Sequence, residues 1–113
     1  MTGRLPSGLV ASGLIRAAET VGGNGAILSK GDADSGAIVL VLTCRGRTPL
    51  IMERVPRLDG GLQWNRRKGS ESVNFESVAR FIDELKRFDR DIWVVELDIA
   101  DVEQFIVDSL GQT

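Results

Sequence analysis

Apolar residues recur at the spacing of a helix face in three segments of the chain. The face of the first segment consists of Val10, Leu14, Ala17 and Val21. The glycine-rich residues 22–25 predict the end of this first helix. A second helix is predicted over residues 74–87, with Asn74 as its cap. Its apolar face consists of Phe75, Val78, Ile82 and Leu85. A third helix is predicted from a cap at Asp98 to Leu110, because Gly111 follows as a stop signal.

Five further segments have the composition of strands. They span residues 26–30, 36–45, 48–55, 62–66 and 92–97. The second of these is apolar on both faces, which predicts a central strand that is covered on both sides. In the fourth, Leu62 and Trp64 alternate with polar residues, as expected for a half-buried strand. The short links at 31–35, 46–47 and 56–61 favour hairpins and therefore antiparallel pairing.

The order of these elements, α-β-β-β-β-α-β-α, predicts an α+β fold. We expect one domain over residues 1–113, with a mostly antiparallel sheet of about five strands and helices packed on it. A chain of 113 residues is long enough to bury a hydrophobic core without disulfides or structural metals.

The composition narrows the chemistry that is available. The chain has no histidine and no tyrosine, which excludes histidine-dependent triads, histidine acid–base catalysis and Cys/His zinc sites. The net charge of −2 and pI near 5.1 give no general attraction to nucleic acid or to anionic membranes. No signal peptide or membrane-spanning run is visible. Because the single cysteine, Cys44, cannot form an internal disulfide, we expect a cytoplasmic protein with an inert thiol.

Three segments together resemble a known bacterial family. They are residues 30–37 (KGDADSGA), 53–56 (ERVP) and 88–96 (FDRDIWVVE). In this order they are similar to the alphaproteobacterial family named domain of unknown function 1491, and the similarity runs from Leu5 to about Phe105. Family members usually have proline where this chain has Arg90. The resemblance implies a small, soluble bacterial protein and brings with it no activity, cofactor or catalytic residue.

Two pairs of aspartates are candidate ligands for a hard cation. Asp32 and Asp34 lie in a loop that is bounded by Gly31 and Gly36. Asp89 and Asp91 lie between the second helix and the fifth strand. If all four carboxylates converged, they would offer Mg²⁺ or Ca²⁺ the oxygen ligands that these ions prefer. The spacing does not fit a calcium-binding EF-hand loop, since neither the required glycine nor the final acid is present. We favour the alternative that both pairs lie in turns. In the first turn, Gly31 and Gly36 supply unusual backbone angles and the aspartates accept hydrogen bonds from backbone amides. In the second turn, Arg87 and Arg90 are neighbours for ion pairing with Asp89 and Asp91.

Basic side chains are concentrated in one part of the chain. Residues 45–68 contain seven of them, namely Arg45, Arg47, Arg54, Arg57, Arg66, Arg67 and Lys68. The same segment has two acids, whereas residues 71–108 contain eleven acids and four basic residues. One hypothesis is a basic hairpin surface that grips a phosphate or an anionic partner, with Trp64 as a stacking platform. The alternative is that these arginines pair with the acidic helices and that Trp64 belongs to the core.

Together these features favour a non-enzymatic binding or assembly protein that needs no cofactor. Its predicted contact residues are Arg45, Arg47, Arg54, Trp64, Arg66 and Arg67. An acidic protein partner or a second copy of the chain is the expected partner, with nucleic acid less favoured and a membrane excluded. A metal-dependent enzyme that uses the four aspartates, and a homodimer formed at a sheet edge or through the last helix, are the alternatives.

Overall fold

The computed structural model describes residues 5–45, 49–67, 74 and 76–111 of the chain. This part contains three helices and five strands in the predicted order. The elements are α1 (Ser7–Thr20), β1 (Asn24–Ser29), β2 (Ile38–Thr43), β3 (Leu50–Pro56), β4 (Leu62–Arg66), α2 (Val78–Phe88), β5 (Trp93–Asp98) and α3 (Val102–Leu110). The predicted α+β class is therefore confirmed.

The five strands form one mixed sheet in the order β1-β5-β2-β3-β4. Three neighbouring pairs are antiparallel, and the central pair β2–β5 is parallel. The sheet is thus mostly antiparallel, as predicted. The prediction that residues 31–35 form a hairpin between β1 and β2 is wrong, because β5 lies between these two strands. This link is instead a crossover connection, which passes the start of β5 to reach β2.

Strand β2 lies at the centre of the sheet and is covered on both faces, as predicted. All six of its residues are buried. Ile38, Leu40 and Leu42 pack in the cluster that contains the buried residues of α1 and α3. Val39 and Val41 point the opposite way and pack in the cluster that contains those of α2. The fold therefore has three layers, with α1 and α3 on one side of the sheet and α2 on the other.

The face by which α1 packs on the sheet agrees in part with the predicted one, since Leu14 is buried and Val10 and Ala17 are partly buried against the core. Its buried residues are Ser7, Ala11, Leu14 and Ala18. Val21, predicted to lie on the buried face, is 57% exposed because the helix ends at Thr20. The two fully buried alanines bring the helix close to the sheet. The helix ends where predicted, with Gly22 in the left-handed region at φ +84°.

The starts of the other two helices lie later in the chain than predicted. Helix α2 begins at Val78, and the side chain of Asn74 accepts a hydrogen bond from the amide of Ser77 (3.0 Å) just before it. Helix α3 is capped by Asp101, whose carboxylate accepts from the amide of Gln104 (3.0 Å). The predicted cap, Asp98, instead ends strand β5. The predicted apolar residue Phe75 lies outside the described residues.

None of the helices in the described ranges is both long enough and apolar enough to cross a membrane.

Candidate functional site

The aspartate-containing loop at residues 31–36 joins three elements at one end of the sheet. It links β1 to β2 and also supplies the N-terminal cap of α1, since Pro6 offers no side-chain cap. The amides of Ser7 and Gly8 donate to the carbonyl oxygens of Asp34 (3.1 Å) and Ala33 (2.9 Å). The hydroxyl of Ser7 donates to the carbonyl oxygen of Gly36 (2.6 Å). The first turn of α1 is thus fixed by the loop.

The same loop is bound to the start of β5. The indole nitrogen of Trp93 donates to the carbonyl oxygen of Asp32 (2.7 Å), and the amide of Asp32 donates to the carbonyl oxygen of Asp91 (3.0 Å). A Cβ atom on Gly31 or on Gly36 would overlap the carbonyl oxygen of Asp91. Neither glycine has a positive φ angle, so the expected unusual backbone angles are absent. Glycine is needed here because two backbone segments approach closely.

The carboxylate of Asp32 closes the loop on itself. One of its oxygens, Oδ2, accepts from the amides of Asp34 (3.1 Å) and Ser35 (2.9 Å) and from the Ser35 hydroxyl (3.1 Å). The amide of Ser35 is the main cause that lowers the pKa of Asp32 below its ordinary value of 3.8, followed by the Ser35 hydroxyl and the amide of Asp34. This carboxylate accepts turn hydrogen bonds, as the turn interpretation predicts.

The candidate cation ligands lie in two loops that are in contact, yet their carboxylates do not form a ligand shell. Asp32 binds its own loop, and Oδ1 of Asp89 accepts from the amide of Asp91 (2.9 Å). Within residues 5–45, 49–67, 74 and 76–111, no group of three or more acidic or cysteine side chains is placed to hold a metal ion. Since Mg²⁺ and Ca²⁺ need several oxygen ligands at once, this arrangement does not support a cation site.

A cavity opens beside the loop, at the end of the sheet where β2 begins and the β3–β4 hairpin turns. We call it the sheet-end cleft. Its volume of about 620 Å³ lies within the range of about 300–1,000 Å³ that is typical of small-molecule sites. Its apolar lining residues are Leu5, Val10, Ala37 and Leu62. Its polar and charged lining residues are Ser7, Asp34, Ser35, Arg54 and Asp89, with the backbone of Gly36 between them. The cleft is therefore apolar on part of its wall and carries both signs of charge.

Arg54 is the basic side chain of the sheet-end cleft. It is half-buried, and its guanidinium carbon lies 5.9 Å from the centroid of the Trp64 ring. The two residues are direct partners on β3 and β4, so both side chains lie on the sheet face that α1 and α3 cover. Trp64 is only 8% exposed and belongs to the core. Its ring therefore supports Arg54 by a cation–π contact and is not an open stacking platform.

The other predicted contact residues do not join Arg54 on one surface. Arg66 pairs with Glu103 of α3 (3.1 Å), and Arg67 pairs with Glu53 of β3 (2.8 Å) on the opposite face of the sheet. Arg67 also lies over the ring of Phe81 in α2, at 5.8 Å. The amide of Arg45 donates to the carboxylate of Asp98 (2.9 Å) at the far end of β2. Arg47 and Lys68 lie outside the described residues.

The remaining candidate features lie away from the sheet-end cleft. The Cys44 thiol is half-buried and donates to the carbonyl oxygen of Ala100 (3.3 Å). The sheet edges are β1 and β4. Ile27 and Leu28 on β1 are exposed, and a bulge interrupts the β1–β5 register between Ile27 and Ser29. Such a bulge twists an edge strand and disfavours pairing with a second chain.

Sequence reasoning missed several residues of the sheet-end cleft, namely Leu5, Ser7, Val10, Ser35 and Leu62. They come from three separate parts of the chain, and no local pattern connects them. Only the tertiary structure brings them together. The one available signal was the alternation in β4, which placed Leu62 and Trp64 on the same face.

Comparisons with known proteins agree on one family. The family model described as "Protein of unknown function (DUF1491)" matches residues 5–107. Among curated proteins, no relative matches.

Solved structures from two bacteria have a similar fold. The crystal structure of a DUF1491 family protein from Caulobacter crescentus has a TM-score of 0.76 and 29% identity, over 87% of this chain and 91% of that chain. An NMR structure of a DUF1491 family protein from the same organism has a TM-score of 0.71 and 30% identity, over 88% and 90%. The solution structure of a protein from A. tumefaciens has a TM-score of 0.70 and 25% identity, over 88% and 90%.

Proposed function

The chain belongs to the DUF1491 family of proteins of unknown function, and we propose that it is a non-enzymatic binding protein. Its sheet-end cleft takes up a small, partly apolar ligand that carries an anionic group. The observation that carries this proposal is the position of Arg54, which lines the cleft and is held over the ring of Trp64.

The Arg54–Trp64 pair supports binding for a physical reason. Packing on the indole restricts the long arginine side chain, so less conformational entropy is lost when a ligand binds. A guanidinium donates hydrogen bonds to carboxylate or phosphate in a planar, two-pronged geometry. The apolar residues Leu5, Val10 and Leu62 offer contact area to the rest of the ligand. Since the chain has no histidine, the cleft lacks the side chain that most often serves as an acid or base near neutral pH, which favours binding over catalysis.

This proposal narrows the predicted basic surface to one arginine. Arg66 and Arg67 lie on opposite faces of the sheet, and each pairs with an acid of the same chain. They therefore do not form one basic surface for a flat anionic partner. A cytoplasmic location fits this proposal, because the lone thiol of Cys44 cannot form an internal disulfide and is at home in a reducing compartment.

The proposal can be tested with 1-anilinonaphthalene-8-sulfonate, a probe that combines an apolar ring system with one negative charge. Titration of the ¹⁵N-labelled protein is expected to shift the amide signals of Ser7, Ser35 and Ala37, which line the cleft. Arg54→Gln is expected to weaken binding by about 10- to 150-fold, because a hydrogen bond to a charged group contributes about 1.5–3 kcal/mol.

The matched control is Arg57→Gln, which makes the same change of charge. Arg57 lies at the β3–β4 turn, pairs with Asp59 and does not line the cleft. Its substitution is expected to leave the affinity for the probe unchanged. Equal weakening by both substitutions, or signal shifts confined to residues outside the cleft, would show that the proposed site is wrong.

A further inference from the structure

The sheet-end cleft carries negative charge as well as the positive charge of Arg54. Two acidic residues line it, namely Asp34 from the loop at residues 31–36 and Asp89 from the link between α2 and β5. Neither of these carboxylates takes part in an ion pair within the described part of the chain. Residues of both charge signs therefore line one cavity, and within the described residues neither acid is paired with a cation.

Both acids are held in place by their backbones. The amide of Asp34 donates to Oδ2 of Asp32 (3.1 Å), and its carbonyl oxygen accepts from the amide of Ser7 (3.1 Å). The amide of Asp89 donates to the carbonyl oxygen of Leu85 (3.0 Å), and its Oδ1 accepts from the amide of Asp91 (2.9 Å). Residues fixed in this way lose little freedom when they bind a ligand.

This charge pattern selects against a ligand with a single charge. A simple anion that approaches Arg54 is repelled by Asp34 and Asp89, and a simple cation that approaches the acids is repelled by Arg54. A ligand with one positive and one negative group satisfies both parts of the cleft. The apolar wall formed by Leu5 and Leu62 indicates that the body between the two groups is apolar.

We infer that the sheet-end cleft binds a small zwitterion with an apolar body, of the class of short free peptides. The carboxylate of the ligand binds Arg54, and its ammonium group lies by Asp34 and Asp89. This inference rests on the proposed function above and specifies the class of ligand for the same cleft.

The test compares three probes that share one apolar body. They are the dipeptide Leu-Leu, its N-acetylated form, which keeps only the negative charge, and its C-terminal amide, which keeps only the positive charge. In NMR titrations of the wild-type protein, Leu-Leu is expected to bind about fivefold more tightly than either singly charged form, which is the upper end of what one partly exposed ion pair contributes.

Substitutions in the cleft separate the two charges further. Asp34→Asn is expected to weaken binding of the C-terminal amide and to strengthen binding of the N-acetylated form, because it removes a repulsion. Arg54→Gln is expected to have the opposite effects. Asp59→Asn, at the β3–β4 turn outside the cleft, serves as the control for the change of an acid and is expected to alter neither affinity.

Two results would overturn the inference, and they can be told apart. If the N-acetylated form binds as tightly as Leu-Leu, or Asp34→Asn does not strengthen its binding, the ligand is a simple anion and the proposed binding function still stands. If neither the dipeptide probes nor the sulfonate probe shifts the signals of Ser7, Ser35 and Ala37, both the zwitterionic ligand and the proposed binding function are refuted.

Discussion

Gly36→Ala is expected to destabilise the protein severely, although it adds a single methyl group. A Cβ atom at this position would overlap the carbonyl oxygen of Asp91 and would lie 3.0 Å from both the amide nitrogen of Asp32 and Cδ1 of Trp93. The neighbours are backbone atoms and a buried ring, which cannot rotate away as a flexible side chain could. The loop must therefore separate from the start of β5.

The magnitude follows from the contacts that this separation disrupts. Overpacking costs about 1–3 kcal/mol. Two hydrogen bonds of the loop, from Ser7 Oγ to Gly36 O (2.6 Å) and from Asp32 N to Asp91 O (3.0 Å), would also be strained or lost. At about 0.5–1.5 kcal/mol each, these bring the expected loss to about 2–6 kcal/mol, a large part of the stability of about 5–15 kcal/mol that is typical of a domain.

Equilibrium unfolding in urea, followed by circular dichroism, measures this loss. Gly13→Ala is the matched control, because it makes the same substitution on α1 where a Cβ atom would meet nothing within 4 Å. The control is expected to raise the free energy of unfolding by about 0.5–1 kcal/mol, since alanine favours the helix more than glycine does. If Gly36→Ala changes the free energy of unfolding no more than Gly13→Ala does, the close approach of the two loops is not what requires glycine.

Three further predictions concern single side chains. Trp93→Phe removes the indole hydrogen bond to the carbonyl oxygen of Asp32 (2.7 Å) and is expected to lower the free energy of unfolding in urea by about 1–3 kcal/mol. Ser29→Ala removes a buried hydroxyl that has no partner in the described part of the chain, so the melting temperature is expected to stay the same or rise, and a fall would contradict this. The lowered pKa of Asp32 stabilises the fold above its ordinary pKa of 3.8, and this contribution is lost as the pH falls below it. In acid titrations followed by circular dichroism, Asp32→Asn is therefore expected to lose less stability than the wild type between neutral pH and pH 3, and an equal loss would refute this.

The two pairs of aspartates show how a local pattern can be interpreted correctly in part. The turn interpretation predicted that the carboxylates of the first pair accept backbone amides, and Asp32 does so. For the second pair it predicted arginine neighbours, whereas Asp89 accepts from the amide of Asp91. It attributed Gly31 and Gly36 to unusual backbone angles, whereas both are required because the backbone at Asp91 approaches them closely. A local pattern cannot show which distant segment will approach. That segment, at Asp91, comes about sixty positions later in the chain.

The sequence by itself determined the helices, the strands and the central place of β2. Periodicity depends on neighbours within a few residues, and a strand that is apolar on both faces must be covered on both. The sequence also showed that histidine chemistry is absent and that the family signature lies at residues 30–37, 53–56 and 88–96.

Only the tertiary structure decided that β5 pairs with both β1 and β2, and hence that the loop at residues 31–36 is a crossover. A short link is compatible with a hairpin or a crossover, and the choice depends on which arrangement buries β5. This strand is itself apolar on both faces, which was a signal for an interior position. The sheet-end cleft follows from the same non-local pairing, because the crossover brings Asp34 to the end of the sheet where Arg54 and Asp89 also line the cavity.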